Sequence, residues 1–511
     1  MLSFQLKNIK AFKDTGRVEL APITIIVGRN SCGKSSLLRF LPVLAQSVNN
    51  YPDLSLNFIG PYVDYGDYDT VVHDHLSTKK MSFSLSYAMD LRRPEQFERR
   101  PANYKPVLRE VTTEVILHKP QKIVEVYGIN LYCDNQLVYS IKKTKKKGEY
   151  RANLYKLIEE NGDLTDTEKC EVLLNIPEYL SFDLFLSRVR LTYKNGFSKL
   201  LSDYNAVIDD KLDTALLYSE IVNKSNGWYE AHATNMFLRH VENTVIYKIC
   251  YSCERYQNIL NNISSSVRRD MNRLSYIGPF RSEPERVYRD FEKMETSVGV
   301  KGESTGALLI NDYHNDKQVL LEGVSDWLKE TMGYSLSIKY MDGNFYQIML
   351  EDENGKMSNL MDVGYGVSQI LPIVTEINKS LAAINKRIVP SNERMLVIEQ
   401  PEIHLHPAMQ AELADLFVDY VTRNKHKLVI ETHSEHLIRK LQVLVADKNE
   451  QITNDMVRIY YVDRNDKKTA IVREMKLGEN GKFLEKWPSG FFDKSYNLTM
   501  ELIRRTSKKI G

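Results

Sequence analysis

Near the start of the chain, Gly28-Arg29-Asn30-Ser31-Cys32-Gly33-Lys34-Ser35 has the residue types and spacing of a phosphate-binding loop. It follows the apolar run Ile23–Val27 and leads into the apolar segment Ser36–Leu41. In such a loop, backbone N–H groups between a buried strand and a helix surround an anion. Gly28 and Gly33 permit the tight turn, Lys34 would reach the β- and γ-phosphates, and the Ser35 hydroxyl would hold Mg²⁺. The pattern predicts a nucleotide site at Gly28–Ser36; the alternative is a glycine-rich turn without a ligand.

A second candidate group follows the apolar run Met395–Ile398, which continues as Glu399-Gln400-Pro401-Glu402. Burying a carboxylate at the end of a strand is costly unless it binds a cation or pairs with a base. We therefore expect Glu399 to lie on the Mg²⁺ side of the site, directly or through water. A plain core strand followed by a polar turn is the alternative.

Two more segments complete the set. Asp362–Gln369 contains Gly364, Gly366 and Ser368 and is predicted to be a glycine loop, with Ser368 capping the helix that follows. Lys427–Glu431 is another apolar strand that ends in polar residues, and His433 comes just after it.

The elements that must position these groups indicate an α/β fold with a mixed sheet and flanking helices. Residues 1–80 are predicted to carry the phosphate loop. A compact α+β insert follows at 81–271, with strands such as Ser82–Tyr87 and helix-like stretches at 211–222 and 237–260. Residues 272–450 supply the other motifs, and 451–511 supply closing strands and a C-terminal domain.

Composition limits the possible functions. Lys+Arg of 69 against Asp+Glu of 67 leaves a net charge of +2, so contact with nucleic acid requires a local basic patch. No apolar window has the length of a membrane span, and no secretory signal is visible at the N-terminus. Five cysteines, an odd and small number, fit a reducing compartment. We expect a cytoplasmic protein without membrane contact.

The order of phosphate loop, insert, glycine segment, acidic strand and histidine strand resembles the ATPase heads of ABC-type proteins of the SMC and RecF group. Ile398–Pro407, Glu431–His436 and the Trp487–Asp493 ending together resemble bacterial ABC-type AAA ATPases, to which the PtuA-type ATPases of Septu and retron anti-phage systems are similar. The motifs carry this resemblance over Met1–Gln46 and Tyr276–Arg505, and the middle of the chain lies outside it.

The resemblance implies roles for individual residues. Gly364, Gly366 and Ser368 correspond to a signature that binds the γ-phosphate held by the opposite subunit, and His433 corresponds to a switch histidine. The general-base glutamate of ABC heads is replaced by Gln400. An amide orients water but accepts no proton, so turnover is slow or Glu402 serves as the base.

The implied function is an ATP- and Mg²⁺-dependent ATPase acting as a homodimer or in a higher assembly. It would regulate an effector nuclease, of HNH type by resemblance, and a retron reverse transcriptase or nucleic acid would be a further partner. A RecF-like DNA-maintenance ATPase and a nucleotide-holding scaffold with little turnover are the alternatives. The basic runs Arg92-Arg93, Arg99-Arg100 and Lys142–Lys147 are either solvated loops or phosphate-backbone contacts.

Overall fold

The structure is a computed structural model of the 511-residue chain. It describes residues 1–49, 56–76, 78–91, 106–119, 124–145, 149–158, 163–175, 245–289, 295–315, 317–385, 393–424, 426–465, 469–488 and 500–501. Three groups of predicted features lie outside these residues: the arginine pairs at 92–93 and 99–100, the helix at 211–222, and parts of the lysine run and of the C-terminal aromatic turn.

The chain divides into two compact units. One comprises Met1–Val18, Gln46–Gly60 and Asp64–Arg269, and the other comprises Glu19–Ala45, Pro61–Val63 and Asp270–Gly511. The four predicted segments divide the chain differently, because they grouped Met1–Val18 with the phosphate loop. The functions assigned to those segments stay predictions.

The first unit contains a nine-stranded sheet in the order β10-β9-β8-β7-β6-β5-β1-β2, with β3 paired to β1. The pairings β1 with β2 and β1 with β5 are antiparallel, as are those along the sheet from β5 to β10. The strands are β1 (Ser3–Ile9), β2 (Phe12–Asp14), β3 (Val18–Glu19), β5 (Met81–Asp90), β6 (Leu108–His118), β7 (Glu125–Cys133), β8 (Gln136–Lys143), β9 (Glu149–Ile158) and β10 (Leu164–Asn175).

The second unit contains a six-stranded sheet in the order β11-β16-β17-β4-β18-β19. Five strands run parallel, and β19 is antiparallel to β18. The strands are β4 (Ile23–Gly28), β11 (Leu274–Ile277), β16 (Met395–Glu399), β17 (Lys427–Glu431), β18 (Val457–Arg464) and β19 (Ala470–Glu474). A four-stranded antiparallel sheet is formed by β12 (Tyr288–Arg289), β13 (Ser335–Met341), β14 (Phe345–Glu351) and β15 (Met357–Asn359).

Helices follow the strands in the order that the motifs predict. They are α1 (Lys34–Leu38), α2 (Phe40–Asn49), α3 (Tyr68–Val71), α4 (Val245–Met271), α5 (Thr305–Tyr313), α6 (Val319–Met332), α7 (Tyr365–Asn385), α8 (Pro407–Asn424) and α9 (Glu435–Ala446). A mixed sheet with flanking helices confirms the predicted α/β class. None of the helices in the described ranges is long and apolar enough to cross a bilayer.

The core of the second unit explains why its central strands are apolar throughout. Every residue of β4 and of β16 is buried, as expected for parallel strands covered on both faces. Helix α8 packs on β4 and β17 and also against α9, and Phe417 and Leu441 of these helices are fully buried in the same cluster. This core fixes the carboxyl ends of β4, β16 and β17, where the candidate residues lie.

Candidate functional site

The predicted phosphate loop joins β4 to α1. Gly28 has a φ of 144°, and a Cβ atom there would lie 2.0 Å from the carbonyl oxygen of Val462 on the neighbouring strand β18. Gly33, at the start of α1, has a φ of 104°. Both positions therefore require glycine, one for space and conformation and the other for conformation.

The loop residues differ in exposure. Arg29, Asn30 and Ser31 are exposed, Cys32 is buried, and Ser35 and Ser36 are half-buried. Two contacts brace the loop: Cys32 Sγ donates to the carbonyl of Asn30 at 3.7 Å, and Arg464 Nη2 donates to the carbonyl of Ser31 at 2.6 Å. The exposed residues Arg29, Asn30 and Ser31 can be reached by an anion from solvent.

Lys34 is buried, and its Nζ donates to the carbonyl of Arg29 at 2.8 Å. The ammonium therefore closes back on its own loop. Burial lowers the pKa of Lys34, and the carboxylate of Glu431 opposes that shift. A phosphate oxygen in this loop would replace a neutral carbonyl with a charged partner for the same ammonium.

Three adjacent strands bring the acidic residues to one edge of the sheet. Glu399 at the end of β16 is in register with Glu431 at the end of β17, and Glu431 is in register with Ile26 of β4. Ligands of open parallel sheets bind at the carboxyl ends of the strands. Both glutamates are nonetheless buried, with 1% and 2% of their surface exposed, so each carboxylate must be satisfied locally.

The Glu399 carboxylate is satisfied by protein groups. Arg39 donates to it twice, from Nε to Oε1 at 2.6 Å and from Nη2 to Oε2 at 2.8 Å. The Tyr276 hydroxyl donates to Oε1 at 2.7 Å. Burial, and then the charge of Glu399, raise the pKa of Tyr276, so this hydroxyl keeps its proton. Neither Arg39 nor Tyr276 was singled out as a site residue from the sequence.

The Glu431 carboxylate is the one that contacts the phosphate loop. The Ser35 hydroxyl donates to its Oε1 at 3.1 Å, whereas Oε2 has no hydrogen-bond partner among the described residues. Burial, and then the charge of Glu399, raise the pKa of Glu431 to about 7. Sequence reasoning missed Glu431, although it ends an apolar strand in the same way as Glu399.

A turn held by main-chain contacts follows Glu399. Gln400 has a φ of 46°, and its N–H donates to the carbonyl of Glu431 at 2.7 Å. The buried guanidinium of Arg281 donates to the carbonyls of Glu399, at 2.9 Å, and of Gln400, at 3.3 Å. Arg281 therefore fixes the main chain of Glu399 and Gln400.

Glu402 and the switch segment are joined by two hydrogen bonds. Glu402 Oε1 accepts from the backbone N–H of His433 at 2.6 Å, and Oε2 accepts from the Thr432 hydroxyl at 2.8 Å. Burial raises the pKa of Glu402. Both oxygens are engaged by the residues that precede α9, so this carboxylate orients the switch segment.

His433 follows β17, directly before the residue that caps α9. The Ser434 hydroxyl accepts from the N–H of Leu437 at 3.0 Å, which fixes the start of the helix. Desolvation by the surrounding protein, and then the Lys34 ammonium, lower the pKa of His433 to about 4. The ring is therefore neutral at physiological pH, and the residue keeps an exposed surface from which it can donate a hydrogen bond.

The glycine segment begins helix α7. The helix starts at Tyr365, so Ser368 lies inside its first turn, where its hydroxyl donates to the carbonyl of Tyr365 at 2.9 Å. The predicted N-cap role of Ser368 is therefore wrong, because the helix begins three residues before it. Ser368 is buried, whereas Gly364 is exposed, with open space where a Cβ would lie.

Two exposed residues of the glycine segment, Asp362 and Tyr365, contact side chains from other parts of the chain. Tyr365 stacks edge-on against His404 at 5.2 Å between ring centroids, and its hydroxyl donates to Glu283 at 3.0 Å. Arg286 forms two hydrogen bonds with the carboxylate of Asp362, at 2.6 and 2.9 Å. Arg286 is thus exposed and paired with Asp362, whereas Arg281 is buried and contacts the main chain of Gln400.

The donor set at the loop suits Mg²⁺. No group of three His, Cys, Asp or Glu residues within the described part of the chain could hold a metal ion alone. Mg²⁺ in nucleotide sites is held by one or two protein oxygens together with phosphates. The Ser35 hydroxyl and the free oxygen of Glu431 provide such hard donors at the phosphate loop.

Comparison with protein families decides the assignment. The model of an AAA ATPase domain, AAA_15, matches residues 1–438. The chain belongs to this AAA ATPase family. The match extends across 81–271, so the expectation that the middle of the chain lies outside the family is wrong. A second model, a protein of unknown function (DUF3696), matches residues 452–502.

Solved structures with similarity to this AAA ATPase include SMC head domains. The Pyrococcus furiosus head with an extended coiled coil, bound to the C-terminal domain of ScpA, has 9% identity and a TM-score of 0.34, with 98% of each chain covered. The Thermotoga maritima head has 9% identity and a TM-score of 0.35, covering 93% of this chain and 98% of that one. The comparison with curated proteins found no significant match.

Proposed function

We propose that this AAA ATPase is a nucleotide-gated dimeric switch that binds ATP with Mg²⁺, hydrolyses it slowly, and controls an associated effector. The observation that carries the proposal is the contact of the phosphate loop with one of two buried acids that end adjacent strands. The Ser35 hydroxyl contacts Glu431, and Glu431 is in register with Glu399 on the next parallel strand. ATP hydrolysis is the activity of the family, and this edge of the sheet is its site.

Different residues at that site would bind the phosphates, the Mg²⁺ ion and the γ-phosphate. The main chain of Gly28–Ser36 would bind the phosphates, with Lys34 supplying the positive charge. Bound Mg²⁺ supplies charge neutralisation of the phosphates, and Ser35 with an acidic residue would hold it. Neutral His433 would donate a hydrogen bond to the γ-phosphate, since its ring carries no charge at physiological pH.

Slow turnover follows from the residue at the turn after β16. Gln400 can orient an attacking water but cannot take its proton. Glu402 stays the predicted alternative base, although both of its oxygens already accept hydrogen bonds from Thr432 and His433. The carboxylate that this turn itself supplies, that of Glu402, is thus already engaged, so removal of the proton from water is slow and the ATP-bound state is long-lived.

A second copy of the chain would complete the site. Gly364, Gly366 and Ser368 correspond by resemblance to the signature that acts on the opposite subunit's nucleotide. The contacts found for Tyr365 and Gly366 are with Glu283, His404 and Leu405, which belong to the surroundings of α7 and not to the phosphate loop. The exposed Gly364 is thus available to a partner molecule, and two nucleotides would lie between two subunits.

Control of an effector nuclease in anti-phage defence is the biological role that the sequence resemblance supports. In that role the closed, ATP-bound dimer holds or releases a nuclease of HNH type, and nucleic acid or a retron reverse transcriptase supplies the trigger. Purification from the native operon tests this part: a co-purifying nuclease supports it. DNA-stimulated ATPase activity of the chain alone would instead support a RecF-like role.

The dimer is tested by molar mass in solution. We expect wild-type protein to dimerise with ATP and Mg²⁺ and to be monomeric with ADP. Gly364→Arg should abolish the ATP-dependent dimer without unfolding the subunit, because its Cβ position is open. Gln451→Arg, on an exposed residue, is the matched control. A mass indifferent to nucleotide and to Gly364→Arg contradicts the proposal.

A further inference from the structure

The two acids at the strand ends are not equivalent. Glu399 receives three hydrogen bonds, two from the Arg39 guanidinium and one from the Tyr276 hydroxyl. Its charge is therefore neutralised by an arginine, and both oxygens already have donors. A carboxylate held this way is poorly placed to accept a cation, because the cation would have to displace a bidentate charge-assisted contact.

Glu431 has the opposite arrangement. Its Oε1 accepts one hydrogen bond, from Ser35, and its Oε2 has no hydrogen-bond partner among the described residues, although only 2% of the residue is exposed. A buried carboxylate oxygen without a partner is costly, and such groups in native proteins call for an explanation such as a missing ion. The hydroxyl that Glu431 contacts is the one that the phosphate-loop pattern assigns to the cation.

We propose that Glu431 is the acid that holds the divalent cation of the bound nucleotide together with Ser35, while Glu399, fixed by Arg39 and Tyr276, is a positioning residue on the neighbouring strand. The proposal rests on the proposed ATP-binding function and deepens it. The acid that binds the cation is thus assigned to the end of β17, which lies between β16 and β4. The sequence instead predicts this acid at the end of β16.

The charges around Glu431 are consistent with this assignment. Arg39 pairs directly with Glu399 in a salt bridge, whereas the ammonium of Lys34 donates its hydrogen bond to the carbonyl of Arg29. Glu431 is thus left as the acid whose charge can be balanced by a cation that arrives with ATP. Carboxylate and hydroxyl oxygens are the donors that Mg²⁺ prefers.

Isosteric variants separate the two acids. Glu431→Gln keeps the size of the side chain and an acceptor for Ser35 but removes the charge. Glu399→Gln does the same on β16. Binding of the fluorescent analogue mant-ATP is measured with Mg²⁺, with Mn²⁺ and with EDTA, and bound Mn²⁺ is counted by electron paramagnetic resonance in the presence of ATP. Melting temperature reports whether each variant is folded.

We expect Glu431→Gln to weaken Mn²⁺ binding in the ternary complex by about 10- to 100-fold, the range seen when groups that orient or ligate a metal are removed. Its affinity for mant-ATP in EDTA should stay within about threefold of wild type. Glu399→Gln should lower the melting temperature while keeping Mn²⁺ affinity within about threefold. Ser35→Ala, which removes the other half of the same contact, should reproduce the Mn²⁺ loss of Glu431→Gln.

Two results would overturn the assignment: Mn²⁺ affinity unchanged in Glu431→Gln, or a Mn²⁺ loss in Glu399→Gln as large as that in Glu431→Gln. If Glu431→Gln does not fold, Ser35→Ala and Glu399→Gln decide alone. Equal Mn²⁺ affinity in those two variants rejects the proposal. Wild-type protein that binds no mant-ATP in the presence of Mn²⁺ would reject the proposed function itself, which is a different observation.

Discussion

The guanidinium of Arg39 forms a two-pronged contact with the carboxylate of Glu399, with distances of 2.6 Å from Nε and 2.8 Å from Nη2. It links the residue that follows α1 to the end of β16. The phosphate-loop helix and the acidic strand are therefore joined by a charged pair that is buried on the glutamate side.

Arg39→Met should lower the free energy of unfolding by about 1–3 kcal/mol, because Glu399 is left buried with Tyr276 as its remaining donor in this group. The value is below that of a fully buried pair, since about a third of the Arg39 side chain is exposed. In a double-mutant cycle by urea unfolding, Glu399→Gln should cost less when Arg39 is already methionine. The exposed pair Arg423 and Asp419 is the control, and no measurable coupling is expected there. Equal coupling in both cycles contradicts the prediction.

Lys34→Met should lose ATP affinity by at least about tenfold without lowering the melting temperature. Stability should not fall because burial disfavours the charged ammonium in the folded protein and lowers the pKa of Lys34. ATP affinity should fall because bound phosphate requires that charge. Calorimetric titration with ATP and Mg²⁺, together with thermal unfolding, measures both. Lys329→Met, on an exposed helical residue, is the control. Unchanged ATP affinity in Lys34→Met would contradict the assignment of Gly28–Ser36 as a phosphate-binding loop.

Gln400→Glu should raise the rate of phosphate release by about 100-fold, the scale of a positioned general base. The substitution should be tolerated, because the hydrogen bonds that hold this turn use the main chain of Gln400. Single-turnover phosphate release measures the rate, and Gln451→Glu on an exposed residue is the matched control. A rate that stays at the wild-type value would place the base elsewhere, and Glu402→Gln then tests the other candidate.

His426 should contribute a pH dependence to stability. It is buried directly before β17, its Nδ1 accepts from the N–H of Arg394 at 3.2 Å, and its ring lies 4.8 Å from that of Tyr420. Burial, and then the charge of Arg394, lower the pKa of His426 from 6.5 to about 4.

The unfolded chain binds a proton at His426 more readily than the folded one does. This contribution to stability is therefore present above about pH 6.5 and is lost as the pH falls from about 6.5 to about 4, by about 2–3 kcal/mol. His426→Asn keeps an acceptor for Arg394 but does not titrate in this range, so its unfolding free energy should fall less steeply over the same interval. His436→Asn, on an exposed histidine, should retain the wild-type slope. Identical slopes in all three proteins would contradict the prediction.

The local pattern was enough to predict the strand, loop and helix around Gly28 and Gly33, and the strands that end in Glu399 and before His433. Each depends on an apolar run with a polar end, which is a property of neighbouring residues. Glu431 ends an apolar run in the same way as Glu399, so the local pattern does not distinguish which of the two acids lies next to the phosphate loop. Only the sheet order shows that β17, and not β16, lies next to the phosphate-loop strand.

Long-range partners could not be read from spacing. Arg39 and Tyr276 are 360 and 123 residues from Glu399 in the chain, and nothing in their local sequence indicates that contact. The grouping of Met1–Val18 was missed for a similar reason. An alternating strand such as β1 pairs equally well with any neighbour of suitable pattern, and its partner β5 lies beyond the phosphate loop in sequence.

The position of β4 in its sheet has a consequence for biosynthesis. This strand lies between β17 and β18, whose residues are added to the growing polypeptide only after more than four hundred others. A nascent chain that has emerged with Gly28–Ser36 therefore carries the anion-binding turn without either flanking strand, and Gly28 has no Val462 beside it. The turn predicted to bind phosphate can therefore take its final form only after β17 and β18 have also been synthesised.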